Sequence, residues 1–218
     1  HATDSEPHSS SLKKPPLFVP QKIKVNIPFD FPSFSLNPFS ISLFNFLYYH
    51  KHFGKHTEGI TDYDSYFYPL DILHNWNRIY GKKGFTQYQL VIPKDVGRKG
   101  LQEILSWLSE HRLASFLSVL KLFGKQEGIL NFPMQGYTLT LDFPIRKKLF
   151  PLLDELDKIV LSYGGRIYLT KDVRLPQATF EKMYPHHPQF KEILRALDPD
   201  GKISSLQSNR LGLHDWHQ

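Results

Sequence analysis

The order of hydrophobic patterns between about residues 85 and 170 constrains the fold of this chain more than any other feature. Segments 86–93, 115–124, 137–144 and 166–170 are typical of strands. Two segments between them have helical spacing; their apolar residues are Leu101, Ile104, Leu105 and Leu108 in one, and Leu149, Leu152, Leu153, Leu156, Val160 and Tyr163 in the other. The order β-α-β-β-α-β predicts an α+β fold with a ferredoxin-like core, in which both helices cover one face of an antiparallel sheet.

The two-residue period of a strand divides these side chains between the two faces of the sheet. We expect one set to pack under the helices: Tyr88, Leu90, Leu120, Leu122, Leu139, Leu141, Ile167 and Leu169. The opposite set is mainly polar: Gln87, Gln89, Lys121, Thr138, Thr140 and Tyr168, with Val119 and Phe123 among them. Amides, hydroxyls and an ammonium group suit a hydroxylated or anionic ligand. The alternative is a solvated open face, which antiparallel sheets commonly have.

Composition excludes several classes of protein. The 218 residues include 17 Phe, 11 Tyr and 3 Trp, too many aromatics for a chain that is disordered throughout. The absence of Cys excludes disulfides, thiolate metal sites and a thiol nucleophile. No apolar run approaches the roughly 20 residues of a membrane span. The start at His1, without a signal-peptide pattern, suggests a fragment, a processed chain or a trimmed one.

The net charge of +6 permits an anionic partner. The densest basic runs are Lys13–Lys14, Lys82–Lys83 and Arg146–Lys148. None of them has the interleaved aromatic residues of an RNA-binding sheet, so we do not expect a nucleic-acid partner.

The regions on either side of the sheet segment are less regular. Residues 23–49 are rich in Phe and contain Pro28, Pro32 and Pro38, so we predict short strands or an aromatic loop here rather than a helix. These aromatics are either ordinary core residues or a mobile apolar lid over a greasy ligand. Beyond residue 170, short helices are predicted over 176–184 and 187–197. They have no strand partner and are expected to pack on something else.

Short motifs do not define a catalytic centre. His50, His52 and His56 lack a carboxylate at a metal-ligand spacing, and two lysines lie between them, so no metal site is predicted. Residues 198–201 lack the ligand pattern of a calcium loop. The sequence contains no dinucleotide fingerprint, phosphate-binding P-loop or nucleophile elbow.

Three segments resemble a known family. FYPLDILHNWNRIYGKKGFTQYQLVIP (67–93) is the first, and FLSVLKLFG with YTLTLDFPI is the second. The third is GGRIYLTKDVR, followed by Tyr184-Pro185 and Asp198-Pro199. In order and spacing these segments resemble decaprenylphosphoryl-β-D-ribose 2-oxidases, which are flavoenzymes of the vanillyl-alcohol-oxidase class related to sugar-lactone oxidases.

The resemblance implies a division of the chain. Residues 1–165 would form the substrate-binding domain, with 23–49 as its aromatic lid. Residues 166–218 would return to an FAD-binding domain whose N-terminal part has no counterpart in this sequence.

The resemblance also implies roles for particular residues. Lys171 would be the catalytic lysine beside flavin and substrate, and Tyr168 would lie near the cofactor. The substrate pocket would be lined by Gln87, Gln89, Lys121, Phe123, Trp76, Arg78, Leu70, Thr138, Thr140 and Phe67. Thr138 and Thr140 replace an Asn and a Cys of the mycobacterial enzymes, and Phe67 replaces a Tyr.

The function implied is oxidation of the ribose C2 hydroxyl of a polyprenylphosphoryl-ribose, with FAD as hydride acceptor. An NAD(P)H-dependent short-chain reductase would complete the epimerisation to arabinose. An aldonolactone or sugar-alcohol oxidase is the rival within the class. A binding module for lipid or sugar phosphate without flavin is the non-catalytic alternative. The expected location is cytoplasmic or at a membrane periphery.

Overall fold

A computed structural model describes residues 25–32, 35, 37–50, 59, 73–113, 115 and 117–214. The chain divides into two compact units, residues 1–28 with 58–76, and residues 29–57 with 77–218. In the first unit, strands β1 (Val25–Asn26) and β2 (Leu73–His74) pair in parallel. The Ile27 N–H donates to the His74 carbonyl at 3.0 Å. A 3₁₀ helix, Trp76–Tyr80, follows β2.

The second unit is built on a four-stranded sheet. Its strands are β3 (Phe85–Pro93), β4 (Ser118–Phe123), β5 (Gly136–Pro144) and β6 (Arg166–Ile167). They lie in the order β4-β5-β3-β6, and all neighbours are antiparallel. Helix α2 (Lys94–Glu110) connects β3 to β4, and α3 (Leu149–Ser162) connects β5 to β6. The α+β, ferredoxin-like prediction is confirmed.

Two glycines of α2 let this helix approach the sheet closely. A Cβ on Gly97 would lie 2.3 Å from the Tyr137 ring, and one on Gly100 would lie 2.9 Å from Cδ1 of Ile92. Below α2 and α3 the core contains the apolar face of the two long central strands; among its buried side chains are Tyr88, Leu90, Ile92, Ile104, Leu139, Leu141, Leu153, Leu156, Val160 and Ile167. The period of the strands therefore predicted this face correctly at its centre.

The prediction was wrong at three leucines. Leu120 and Leu122 of β4 are each 58% exposed, and Leu105 of α2 is 53% exposed. The helices pack over the central strands β3 and β5, whereas β4 forms the edge of the sheet. Alternation assigns a residue to a face, but it does not show whether a helix reaches that part of the face.

The fourth strand is shorter than the sequence pattern predicted. Only Arg166 and Ile167 pair with β3, and a 3₁₀ helix, Leu169–Lys171, replaces the rest of the predicted strand 166–170. Before this strand, Gly164 ends α3 with a φ of +67°, a conformation that glycine adopts without strain.

The Phe-rich region contains a helix that the sequence analysis did not predict. Helix α1 spans Pro38–Tyr49. Pro38 is its first residue, a position where the missing N–H costs no hydrogen bond, and no proline follows within the helix. Asn37 caps it, because Asn37 Oδ1 accepts the Ser40 N–H at 3.0 Å and Ser40 Oγ accepts the Asn37 N–H at 3.1 Å. The role of 23–49 as a lid stays a prediction.

The C-terminal segment forms helices α4 (Gln177–Met183), α5 (His187–Leu197) and α6 (Leu206–Arg210). Several of its side chains belong to the same core as the sheet: Leu175, Phe180, Met183, Tyr184, Leu211 and Leu213. The Tyr184 hydroxyl donates to the Ile167 carbonyl at 2.6 Å, which ties the segment to β6. Its assignment to an FAD-binding domain, and the boundary at residue 165, stay predictions. In the part of the chain that the structure describes, no helix combines the length and apolarity needed to cross a membrane.

Candidate functional site

The face of the sheet away from the helices carries the predicted polar residues. In the β3–β5 register Gln89 lies opposite Thr140, and Val91 lies opposite Thr138. Directly opposed residues point to the same face, so these side chains form one surface. The Gln89 amide donates to Thr138 Oγ1 at 3.1 Å, and Thr138 is fully buried. This amide and hydroxyl are held in place by the two longest strands of the sheet.

The edge strand extends the same face. Val119 lies opposite Thr140, Lys121 opposite Thr138, and Phe123 opposite Gly136. Lys121 is exposed, whereas Val119 and Phe123 are partly buried. The register thus brings the β4 residues to the face that the sequence predicted.

Tyr168 and Lys171 reach this face from the other edge. The Tyr168 N–H donates to the Gln89 carbonyl at 2.9 Å, and the Lys171 N–H donates to the Tyr168 carbonyl at 3.0 Å. Lys171 and Gln87 line the same small cleft. The short 3₁₀ helix after β6 therefore places Lys171 beside the end of the polar face.

The turn after Lys171 is fixed by Asp172. Its carboxylate accepts the backbone N–H groups of Arg174 at 2.9 Å and Leu175 at 2.7 Å, and it pairs with Arg210 at 2.7 Å. Burial would raise the pKa of Asp172, but these hydrogen bonds and the Arg210 guanidinium hold it below its usual value. A charged, fully bonded carboxylate thus anchors the backbone that carries Lys171.

Asp142 is a residue of this face that the sequence analysis missed. It lies opposite Gln87 and is fully buried. Its Oδ2 accepts the Tyr80 hydroxyl at 3.3 Å, while Oδ1 has no hydrogen bond of good geometry among the described residues. Burial raises the pKa of Asp142, and the nearby Gln87 amide, Tyr80 hydroxyl and Lys171 ammonium partly offset that rise. The signal was available, since Asp142 continues the alternation of Thr138 and Thr140.

Phe132 is a second residue that the sequence did not indicate. It is 5% exposed and joins the two edges of the face. Its ring stacks on Tyr168 at 4.4 Å between centroids, and Phe123 meets it edge-on at 6.0 Å. The Arg166 guanidinium holds the same loop through a 3.0 Å hydrogen bond to the Asn131 carbonyl. Phe132 lies in the loop between β4 and β5, where no alternation of apolar and polar residues predicts which way a side chain points.

The remaining predicted residues have other positions. Trp76 belongs to the first compact unit. Arg78 lies in the 3₁₀ helix that ends at Tyr80, and its carbonyl accepts the Phe31 N–H at 2.8 Å. Leu70 and Phe67 lie outside the described residues. The roles of all the predicted site residues stay predictions.

Comparisons with known proteins show what this chain is similar to. Residues 137–211 match the family model of D-arabinono-1,4-lactone oxidase. The chain is 36% identical over 205 residues to the decaprenylphosphoryl-β-D-ribose oxidase of Mycolicibacterium smegmatis. The aligned region covers 94% of this chain and 44% of that protein. The resemblance inferred from the sequence is confirmed.

A second relative matches over a shorter region of this chain. A Streptomyces coelicolor protein, described as uncharacterized and encoded in the mprA 5′ region, is 36% identical over 115 residues, 52% of this chain and 31% of that protein. The chain therefore spans less than half the length of both relatives.

Proposed function

We propose that this chain is the substrate-binding portion of an FAD-dependent oxidoreductase that oxidises a sugar hydroxyl. The observation that carries the proposal is the polar face of Gln87, Gln89 and Thr140, with Lys171 at its end and a buried carboxylate, Asp142, on the same face. Its amides and hydroxyls can bind the several hydroxyl groups of a sugar. The matches to a lactone-oxidase family model and to a sugar oxidase support the same reaction class.

The residues present fit a flavin on this face. Lys171 supplies a cation, and the Phe132–Tyr168 stack supplies an apolar wall at one side. FAD, when bound, would accept the hydride from the carbon that carries the oxidised hydroxyl. Lys171 would bind and orient the oxygen of that carbon and stabilise negative charge that develops near it. Gln87 and Gln89 would hold neighbouring hydroxyls.

The specific substrate we propose is a polyprenylphosphoryl-ribose oxidised at C2. The support is the similarity over 94% of this chain to a protein named decaprenylphosphoryl-β-D-ribose oxidase. A separate NAD(P)H-dependent reductase would then act on the keto sugar. The family-model match over 137–211 favours an aldonolactone as the second candidate. Comparing flavin reduction by the two substrates in the full-length protein distinguishes these candidates.

The test of the reaction class is Lys171→Ala in the full-length protein. We expect the rate of flavin reduction by the sugar substrate to fall by about 10²- to 10³-fold, the usual cost of losing one charge-stabilising group. Anaerobic stopped-flow absorbance measures that rate. Lys99→Ala, on the exposed side of α2, is the matched control and should leave the rate unchanged.

Two results would count against this proposal. An unchanged reduction rate in Lys171→Ala would remove Lys171 from the catalytic group. A full-length protein without flavin absorbance that still binds the sugar phosphate would favour a non-catalytic binding module.

A further inference from the structure

The turn that carries Lys171 is too short to hold its conformation by itself. Lys171 ends a 3₁₀ helix of three residues, and the backbone becomes extended at Asp172. Two hydrogen bonds close the turn: the Lys171 N–H donates to the Tyr168 carbonyl at 3.0 Å, and the Asp172 N–H donates to the Leu169 carbonyl at 3.2 Å. A single helical turn is unstable alone, and 3₁₀ hydrogen bonds have poorer geometry than those of an α-helix. Contacts from elsewhere in the fold therefore fix the backbone at Lys171.

Helix α6 supplies these contacts, although it lies 35 to 38 residues further along the chain. The Gln207 amide donates to the Leu169 carbonyl at 2.6 Å, and the Arg210 guanidinium donates to Asp172 Oδ2 at 2.7 Å. A second N–H of the same guanidinium donates to the Leu175 carbonyl. Gln207 and Arg210 thus bind the turn on both sides of Lys171.

The Asp172 carboxylate transmits the contact with Arg210 to the backbone. Its side chain is 3% exposed, and its Oδ1 accepts the N–H groups of Arg174 at 2.9 Å and Leu175 at 2.7 Å. A buried carboxylate needs an opposite charge in addition to such hydrogen bonds, and Arg210 provides it. Loss of that charge would favour a rearranged turn in which Asp172 reaches water.

Helix α6 is itself anchored at both ends. At its start Ser205 Oγ accepts the Ser208 N–H at 3.0 Å, and Ser208 Oγ accepts the Ser205 N–H at 2.8 Å, which forms a capping box. Just beyond its end, Leu211 is 1% exposed and Leu213 is 8% exposed, and both belong to the hydrophobic core. An anchored helix can hold the turn in one place.

We propose that Gln207 and Arg210 are positioning residues that place the Lys171 ammonium on the polar face of the sheet. This inference rests on the proposed function, in which Lys171 binds the oxygen of the substrate. In this role Gln207 and Arg210 do not touch the substrate and act through the backbone of the turn. Because a displacement of about 1 Å can slow a reaction by about 10²-fold, the contacts from α6 contribute to the rate as well as to the fold.

The first test measures flavin reduction by the sugar substrate in full-length Arg210→Met, using anaerobic stopped-flow absorbance. We expect the rate to fall by about ten-fold or more, because the charge and both hydrogen bonds are lost. Arg210→Lys keeps the charge without the planar fork and should recover part of the rate. Gln207→Leu should slow the reaction in the same direction. The matched control, Lys202→Met, removes an exposed ion pair of the same C-terminal segment and should leave the rate unchanged.

A double-variant cycle separates positioning from a general loss of stability. If α6 acts through Lys171, the combined variant Lys171→Ala/Arg210→Met should be no slower than Lys171→Ala alone, because residues that act as a unit are not additive. A purely structural defect would instead slow the reaction by the same factor in both backgrounds, and that result would overturn the proposal.

Hydrogen exchange provides a readout that does not depend on the reaction. The amides of Arg174 and Leu175 are protected by Asp172, which depends on Arg210. In Arg210→Met we expect these amides to exchange about ten-fold faster or more, since a hydrogen bond to a charged group is lost. Mass spectrometry of peptides that span 169–176 measures the rate, and Lys202→Met should exchange as the wild type does.

The outcomes separate this inference from the proposed function. An unchanged reduction rate in Lys171→Ala would overturn the role of Lys171 and the positioning role with it. A slow Lys171→Ala beside a wild-type rate in Arg210→Met would overturn the positioning role alone. If Arg210→Met does not fold, Arg210→Lys and Gln207→Leu provide the same test, and wild-type rates in both would contradict the proposal.

Discussion

Two buried carboxylates lie on opposite sides of the sheet and have different surroundings. On the helix side, Asp157 of α3 accepts the Tyr88 hydroxyl at 2.8 Å and two hydrogen bonds from Arg174, at 2.8 and 2.9 Å. On the open side, Asp142 accepts one long hydrogen bond, from Tyr80, and the Gln87 amide and the Lys171 ammonium lie near it. Burial raises the pKa of both carboxyls, and hydrogen bonds and a nearby cation partly offset the rise at each of them.

This difference separates a buried carboxylate that has a full set of partners from one that does not. A buried charge is tolerated when hydrogen bonds and an opposite charge replace water, as at Asp157. Asp142 lacks that full set in the described part of the chain. Its unpaired Oδ1 is buried on the same face of the sheet as the glutamines, so part of its hydrogen-bonding capacity is unmet there.

The largest effect is expected when the satisfied pair is broken. Arg174→Met removes the guanidinium and leaves Asp157 buried without its cation. Because that charge is then uncompensated, we expect a loss of about 3–5 kcal/mol in the free energy of unfolding. Urea denaturation followed by circular dichroism measures it.

The control for this variant is Lys158→Met, which removes an exposed ion pair with Glu155 and should cost less than about 1 kcal/mol. Equal losses in the two variants would show that Asp157 does not depend on Arg174.

A smaller, pH-dependent effect is expected at Asp142. Since burial raises its pKa above the unfolded value, the protonated form favours folding below the unfolded pKa, and this advantage is lost as the pH rises through the folded pKa. Asp142→Asn should therefore gain stability over the wild type as the pH rises from about 4 to neutrality. Thermal unfolding at a series of pH values measures the difference.

Asp172→Asn is the opposite-sign control for that series. The folded pKa of Asp172 is lowered, so its contribution to stability is present above the unfolded pKa and is lost as the pH falls. This variant should be least stable, relative to the wild type, near neutrality. A parallel response of the two variants would contradict the assignment of different surroundings.

The parts of the fold that could be predicted are those where local pattern and tertiary packing agree. The period of β3 and β5 placed Gln87, Gln89 and Thr140 on one face, and their register confirms it. Helix α1 does not follow from the rule that proline breaks a helix, because Pro38 is its first residue, where proline is favourable. A proline therefore has to be interpreted by its position in an element.

The site was only partly predictable, because some of its members follow no period. Phe132 lies in the loop between β4 and β5, and Tyr80 ends a 3₁₀ helix. Tertiary packing alone brings them to Tyr168 and Asp142.

The smallest effect is expected at the edge of the helix-covered face. Leu120 lies directly opposite Leu139 in the β4–β5 register, yet Leu120 is 58% exposed and Leu139 is 5% exposed. Leu139→Ala should cost about 2–5 kcal/mol, because it leaves a cavity under the helices. Leu120→Ala should change the free energy of unfolding by less than about 0.5 kcal/mol, because little of its surface is buried. Urea denaturation of the pair measures both changes. A large loss at Leu120 would mean that another surface of the protein covers the edge strand, and the contrast between the centre and the edge of this face would then disappear.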